Sequence, residues 1–202
     1  YGKGEGRIGA YIDQKAYRPP LFRGQGAKVQ PDWLHGFLAN PVTVRTHLDV
    51  RMPLFGFSDE EAEDLAYWFG DRDNQPWPFY EDKRHDQFDV ALFAAGEGFF
   101  NEFQCNSCHP SGGVNPSNPD PGNWGPDLSL AATRLQIDWI GKWLYDPQLM
   151  SPGTKMPNFL GEWDIDDQEY TPYYDNWEER IVSIQHYLRH LDRAVTSPAG
   201  TN

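Results

Sequence analysis

The chain has 202 residues, a formal net charge of −13 and 39% hydrophobic residues, with 8 Trp, 10 Tyr and 12 Phe. That length and aromatic content allow one large or two small domains with a packed core, while the charge argues against nucleic acid as a partner, because an acidic surface repels phosphate and releases no counterions, and suits a basic partner instead. No apolar run approaches the ~20 residues that cross a bilayer, no signal peptide is visible, and a chain that begins at Tyr1 implies a processed product or a part of something longer.

With 17 Pro and 19 Gly, the helices should be short and joined by long, defined loops. No sustained period-2 run of β-branched residues predicts a strand. In chain order, GKGEG at 2–6 follows no strand and opens no clear helix, so it reads as a loop. KVQPDWLHGFLANP at 28–41 and VRMPLFG at 50–56 come next, with His35 and His47 read as surface histidines. SDEEAEDLAYWF at 58–69 predicts a helix: Ser58 is a capping candidate, Glu61 sits three residues on, and acids fill the first turn. DRDNQPWPFYEDKRHD at 71–86 is polar and aperiodic and reads as a linker whose aromatics pack along a surface.

EFQCNSCHPSGG follows at 102–113. This segment holds both cysteines, Cys105 and Cys108, with His109 directly after. A disulfide is one reading, but redox pairs at this spacing sit at the start of a helix in a βαβ setting that is missing here. Zinc is a second, but a structural zinc site wants four ligands and there is no second Cys pair. Covalent haem is the third. C-x-x-C-H lets two thiols form thioethers to the two vinyl groups on one porphyrin edge, and the next residue turns its imidazole to the iron.

Met156, 47 residues after His109 in SPGTKMPNFLG, is the candidate for the other face of the iron. A thioether ligand stabilises Fe(II), and Pro152, Gly153 and Pro157 make this stretch an extended loop rather than a helix. The plainer alternative is a core methionine filling a gap. Met150 is the nearest competitor, and His186 and His190 in RIVSIQHYLRHL read as face residues of a last helix.

Taken in order, GEGFFNEFQCNSCHPSGG, NWGPDLSL, LQIDWIGKWLYDP, GTKMPNF and RIVSIQHYLRHL resemble a class I cytochrome c. The resemblance implies an all-α cytochrome c fold with a complete module over 87–195 and a tail at 196–202. It implies three main helices around one haem c, with little or no sheet. It also implies that the first helix, about 87–104, brings Gly96 close to the last, about 176–192, and that Pro126 offers its carbonyl to His109. Trp139 and Trp143 match positions that pack on or near the haem, with plain core packing as the alternative. LGEWDIDDQEYTPYYDN at 160–176 departs from the pattern, being acidic, aromatic and long: a lid, a partner contact or a solvated loop.

The first ninety residues repeat part of this. KVQPDWLHGFLANP parallels RLQIDWIGKWLYDP at 134–147, pairing Trp33 with Trp139 and Pro41 with Pro147, both 106 apart; VRMPLFG then pairs Met52 with Met156. Residues 1–70 thus resemble an incomplete or degenerate cytochrome c-like module without C-x-x-C-H. In the second module Cys108 lies 20 residues before Leu128, and the same distance back from Leu21, its rough counterpart, arrives at Tyr1. The attachment site lies upstream, or the module has lost its haem and kept its scaffold, or another chain completes it. Met52 is then a possible ligand of a second haem iron.

The expected function is single-electron transfer between redox proteins in a respiratory or similar chain, rather than catalysis. The resemblance implies assembly in the periplasm or otherwise outside the cytoplasmic membrane, with a membrane respiratory complex among the candidate partners. The alternative is a haem c subunit or domain of a larger oxidoreductase, with residues 1–70 as a docking module or the remainder of a second haem domain.

Overall fold

The computed structural model describes residues 22–45, 47, 48, 51–76, 83, 85–164 and 166–192. The loop expected at 2–6, the rest of 1–21, much of the linker and the tail at 196–202 lie outside the described residues.

The described chain is mostly helical and has two hydrophobic cores. Around the first lie α1 (Gln25–Lys28), α2 (Pro31–Ala39) and α3 (Asp59–Arg72). Val29, Leu34, Leu38, Ala62, Ala66 and Phe69 fill it. Ser58 starts α3 as expected. Its hydroxyl accepts from Glu61 N at 3.2 Å, while Ser58 N donates to the Glu61 carboxylate at 2.9 Å, so two orphan donors of the first turn are satisfied reciprocally.

Around the second core lie α4 (Val90–Glu102), α5 (Ala131–Arg134), α6 (Ile137–Tyr145), α7 (Pro147–Met150) and α8 (Trp177–Arg189). α4 and α8 make the most extensive helix–helix contact. Gly96 permits it: a Cβ there would strike the carbonyl of Ser183 and come within 2.7 Å of Tyr187 Cβ. Phe100, Phe103, Ile137, Ile140, Leu160, Ile184 and Tyr187 surround the crossing.

The repeat reappears in the backbone. α1 and α2 begin and end 106 residues before α5 and α6. Trp33 stacks on Phe37 at 4.8 Å and 15°, and their counterparts Trp139 and Trp143 stack at 5.1 Å and 15°. The halves face each other about a pseudo-two-fold axis. Gln30 N donates to Arg134 O and Gln136 N to Lys28 O, at 2.9 and 3.0 Å, around a Val29–Leu135 bridge. The Gln30 amide donates to Ala132 O and Leu135 O, both at 2.9 Å. The Gln136 amide donates to the matching Gly26 O and Val29 O, at 2.6 and 2.9 Å.

Two expectations are corrected. Strands do form: β1 (Gly161–Asp164) pairs antiparallel with β2 (Glu169–Pro172) inside the acidic segment read as a loop. The pairing places Trp163 opposite Tyr170, and Tyr170 stacks on Tyr145 of α6 at 3.9 Å, so aromatic packing anchors a hairpin too short for alternation to reveal. His186 and His190 are buried rather than surface members of α8, at 1% and 8% exposure. They meet buried His85 from the end of the linker: its ring lies 3.4 Å from that of His186, and its carbonyl accepts from His190 Nε2 at 2.7 Å. With the Asp86–Arg189 ion pair at 2.7 Å, these contacts fasten the linker to α8.

Candidate functional site

The cysteine segment begins where α4 stops. Gln104 adopts a left-handed conformation, φ 53°, and a tight turn over Cys105–Ser107 follows, with His109 N donating to Cys105 O at 3.0 Å. The turn folds the thiols and the histidine into one short arc. Both thiols are free, so the disulfide reading is not realised in this structure. Cys105 packs against the second core, and burial pushes its thiol up to about 12. Such a sulfur stays protonated and is a poor nucleophile. Among the described residues no group of three or more His, Cys, Asp and Glu side chains is placed to hold a bare metal ion.

His109 is held through one nitrogen. Its Nδ1 lies 2.8 Å from the carbonyl of Pro126. A carbonyl only accepts, so Nδ1 carries the proton and Nε2 keeps its lone pair. Burial lowers the proton affinity of the ring, only partly offset by the Pro126 contact, so the imidazole is the neutral, ligating form at pH 7. Gly125 lies against the ring so closely that a Cβ there would run into it. Gly125 N donates to Cys108 O at 2.7 Å, tying this loop to the cysteine turn.

Met156 is half-buried on the loop after α7. Its Sδ accepts from Trp143 Nε1 at 2.8 Å, and Trp143 stacks on Trp139. Gln148 holds the loop by donating to Thr154 O and Met156 O, both at 2.9 Å. Lys155 ties it to the segment before Gly125, donating to Gly122 O at 2.8 Å. The predicted residues therefore fall into two joined groups: Cys105, Cys108, His109 and Pro126 around the turn, and Trp139, Trp143 and Met156 around α6. Met150, the competitor, is exposed at 39%. Met52 stands apart, half-buried and packed on the first core. Phe37 occupies the place of Trp143 in the first half, so no matching indole N–H faces Met52.

The chain matches no protein-family model, no curated protein and no solved structure.

A group of cations carries no motif in the sequence. Lys28 lies over the Trp139 ring at 4.5 Å, and Arg134 over the Trp33 ring at 5.1 Å, each reaching across to the other half. The first half also lays its 44–47 loop on the histidine loop: Val44 O accepts from Asp127 N at 3.4 Å, and His47 meets Trp124 edge-on at 6.0 Å. Arg45, on that loop, lowers the proton affinity of Lys28, Arg134, His47 and His109. The one signal is the repeat itself, since Lys28 and Arg134 share a position, as do Gln30 and Gln136.

Proposed function

We propose that the chain is an electron-transferring c-type cytochrome of class I fold, whose second module carries one haem c. One observation carries the reading: a C-x-x-C-H turn whose histidine is fixed through Nδ1 on Pro126 O, with Nε2 left as a neutral donor. A hydrogen bond from Nδ1 to a carbonyl orients a ligating imidazole and raises its basicity. Cys105 and Cys108 would hold the haem through thioethers, and His109 Nε2 and Met156 Sδ would ligate its iron. The bound haem supplies a one-electron Fe(III)/Fe(II) couple. The protein's own part is to hold the two ligands, to pack Trp139 and Trp143 beside the cofactor and to keep water from the iron.

The fit has support on both sides of the site. Gly125 leaves room only for the ring of His109, and on the methionine loop the Trp143 indole N–H donates to Met156 Sδ at 2.8 Å. Redox proteins are the partners in this reading, meeting the chain outside the cytoplasmic membrane. No helix among the described residues is long and apolar enough to cross a membrane.

A second reading makes the chain a haem subunit of a larger oxidoreductase, with the first module docking onto it. Leu54 and Phe55, exposed at 68% and 60% on the loop after Met52, favour it. A visible spectrum taken in both redox states, with carbon monoxide added to the reduced protein, tests the first reading. Reversible reduction without carbon monoxide binding supports His/Met electron transfer. Tight carbon monoxide binding sinks the six-coordinate assignment and favours a catalytic role.

A further inference from the structure

An acidic chain has gathered three cations without giving them a carboxylate. Lys28 on α1, Arg45 on the loop after α2 and Arg134 on α5 converge where the two halves meet. Although the chain has 30 Asp and Glu, none forms an ion pair with any of the three among the described residues. Burial and mutual repulsion take Lys28 down to about 7 and Arg134 to about 10. The Nε of Arg134 and the Nδ1 of His47 are buried with no hydrogen-bond partner among the described residues. Desolvated like charges cost a fold free energy unless something answers them.

What answers them is constrained by place and charge. Lys28 sits on the face of Trp139, and the residue before Arg45 is tied to the histidine loop, Val44 O accepting from Asp127 N at 3.4 Å, so the ligand lies beside both. It must be anionic and offer more than one charged oxygen, because forked guanidinium groups suit carboxylates. A haem carries two carboxylates on the edge remote from its vinyl groups.

We propose that Lys28, Arg45 and Arg134 form a carboxylate site for the two propionates of the haem carried by Cys105 and Cys108, so that the first half of the chain supplies the countercharge for the cofactor of the second. The inference rests on the haem reading above. The first half then has a defined task whether or not it holds a haem of its own. Positive charge beside the iron favours Fe(II) over Fe(III), so the cations hold the reduction potential up.

The test is a redox titration of the intact holoprotein and its variants, with haem content measured on each. Lys28→Gln and Arg134→Gln should each lower the reduction equilibrium constant about tenfold, or 59 mV for a one-electron couple. Lys28→Arg and Arg134→Lys should restore most of it, and Lys142→Gln, on the exposed face of α6, should leave it unchanged. Unchanged potentials in both neutral variants, with haem retained, overturn the proposal. Should those variants fail to fold, the propionate bending bands in the resonance Raman spectrum of the unaltered protein decide instead. Bands at hydrogen-bonded positions support the site, and bands at solvated positions overturn it. A protein with no haem at all fails the functional reading first, and the haem assay separates that outcome from the others.

Discussion

His109 and Met156 are prepared for their roles by single atoms. The Pro126 carbonyl fixes the tautomer of one, and the Trp143 indole N–H engages the sulfur of the other. Each partner decides how its neighbour is presented. Met156→Ala should leave the haem attached through Cys105 and Cys108 while opening the sixth position. The methionine–iron absorption at the red end of the spectrum should disappear, and the reduced protein should bind carbon monoxide. A spectrum unchanged by the substitution would mean that Met156 is not the ligand. Gly125→Ala drives a methyl group into the imidazole, so it should disturb the proximal side. Expected readouts are a lower haem content and a shifted Soret band, with Gly36→Ala as a comparison at an open position of α2.

At the level of elements, the crossing of α4 over α8 hangs on the missing side chain at 96. Backbone carbonyl, not a flexible side-chain tip, is what a methyl group would meet there. Gly96→Ala should therefore cost about 1–3 kcal/mol in denaturant unfolding, whereas Gly98→Ala, with open space around it, should gain slightly from helix propensity. Between the halves, each of the paired glutamines donates two hydrogen bonds to opposing carbonyls. Gln136→Ala removes two of these, at about 1–3 kcal/mol, and the loss should appear as earlier unfolding of the contact between the halves. α3 is legible in the sequence because Ser58 and Glu61 write a capping box there. α4 and α8 are legible within a few residues of their ends. The hairpin is not, because its strands are four residues each and what holds them is Tyr170 stacked on Tyr145, a contact from 25 residues away.

For the molecule as a whole, the repeat of 106 residues predicts the likeness of the two halves but not how they face each other. The cation group is hidden for the same reason: Arg45 and Arg134 lie 89 residues apart and meet only through the pseudo-two-fold contact. The cysteine turn is legible because its spacing is local. The burial of the histidines is not, because nothing in RIVSIQHYLRHL marks one face of α8 as covered by the linker. That burial has a consequence for pH. His186 accepts from Asp89 N at 3.0 Å and lies against His85, His190 and Phe88. Burial, then the nearby His190, holds its proton affinity below the ordinary 6.5. The folded state therefore binds this proton less readily than the unfolded chain. Stability from this group is present above about pH 6.5 and is lost as pH falls through the lowered value. The unfolding temperature should fall on acidification from pH 7, and His186→Gln should flatten that dependence. An equal slope in the variant would assign the acid loss to other groups.

The proposed covalent haem at Cys105 and Cys108 underlies the functional reading, so haem per polypeptide, by pyridine haemochrome together with the intact mass, tests it most directly. The expected result is a thioether-type haemochrome at one haem or more per chain, retained through acid extraction and matched by the added mass. A colourless protein whose mass is that of the bare polypeptide would contradict it.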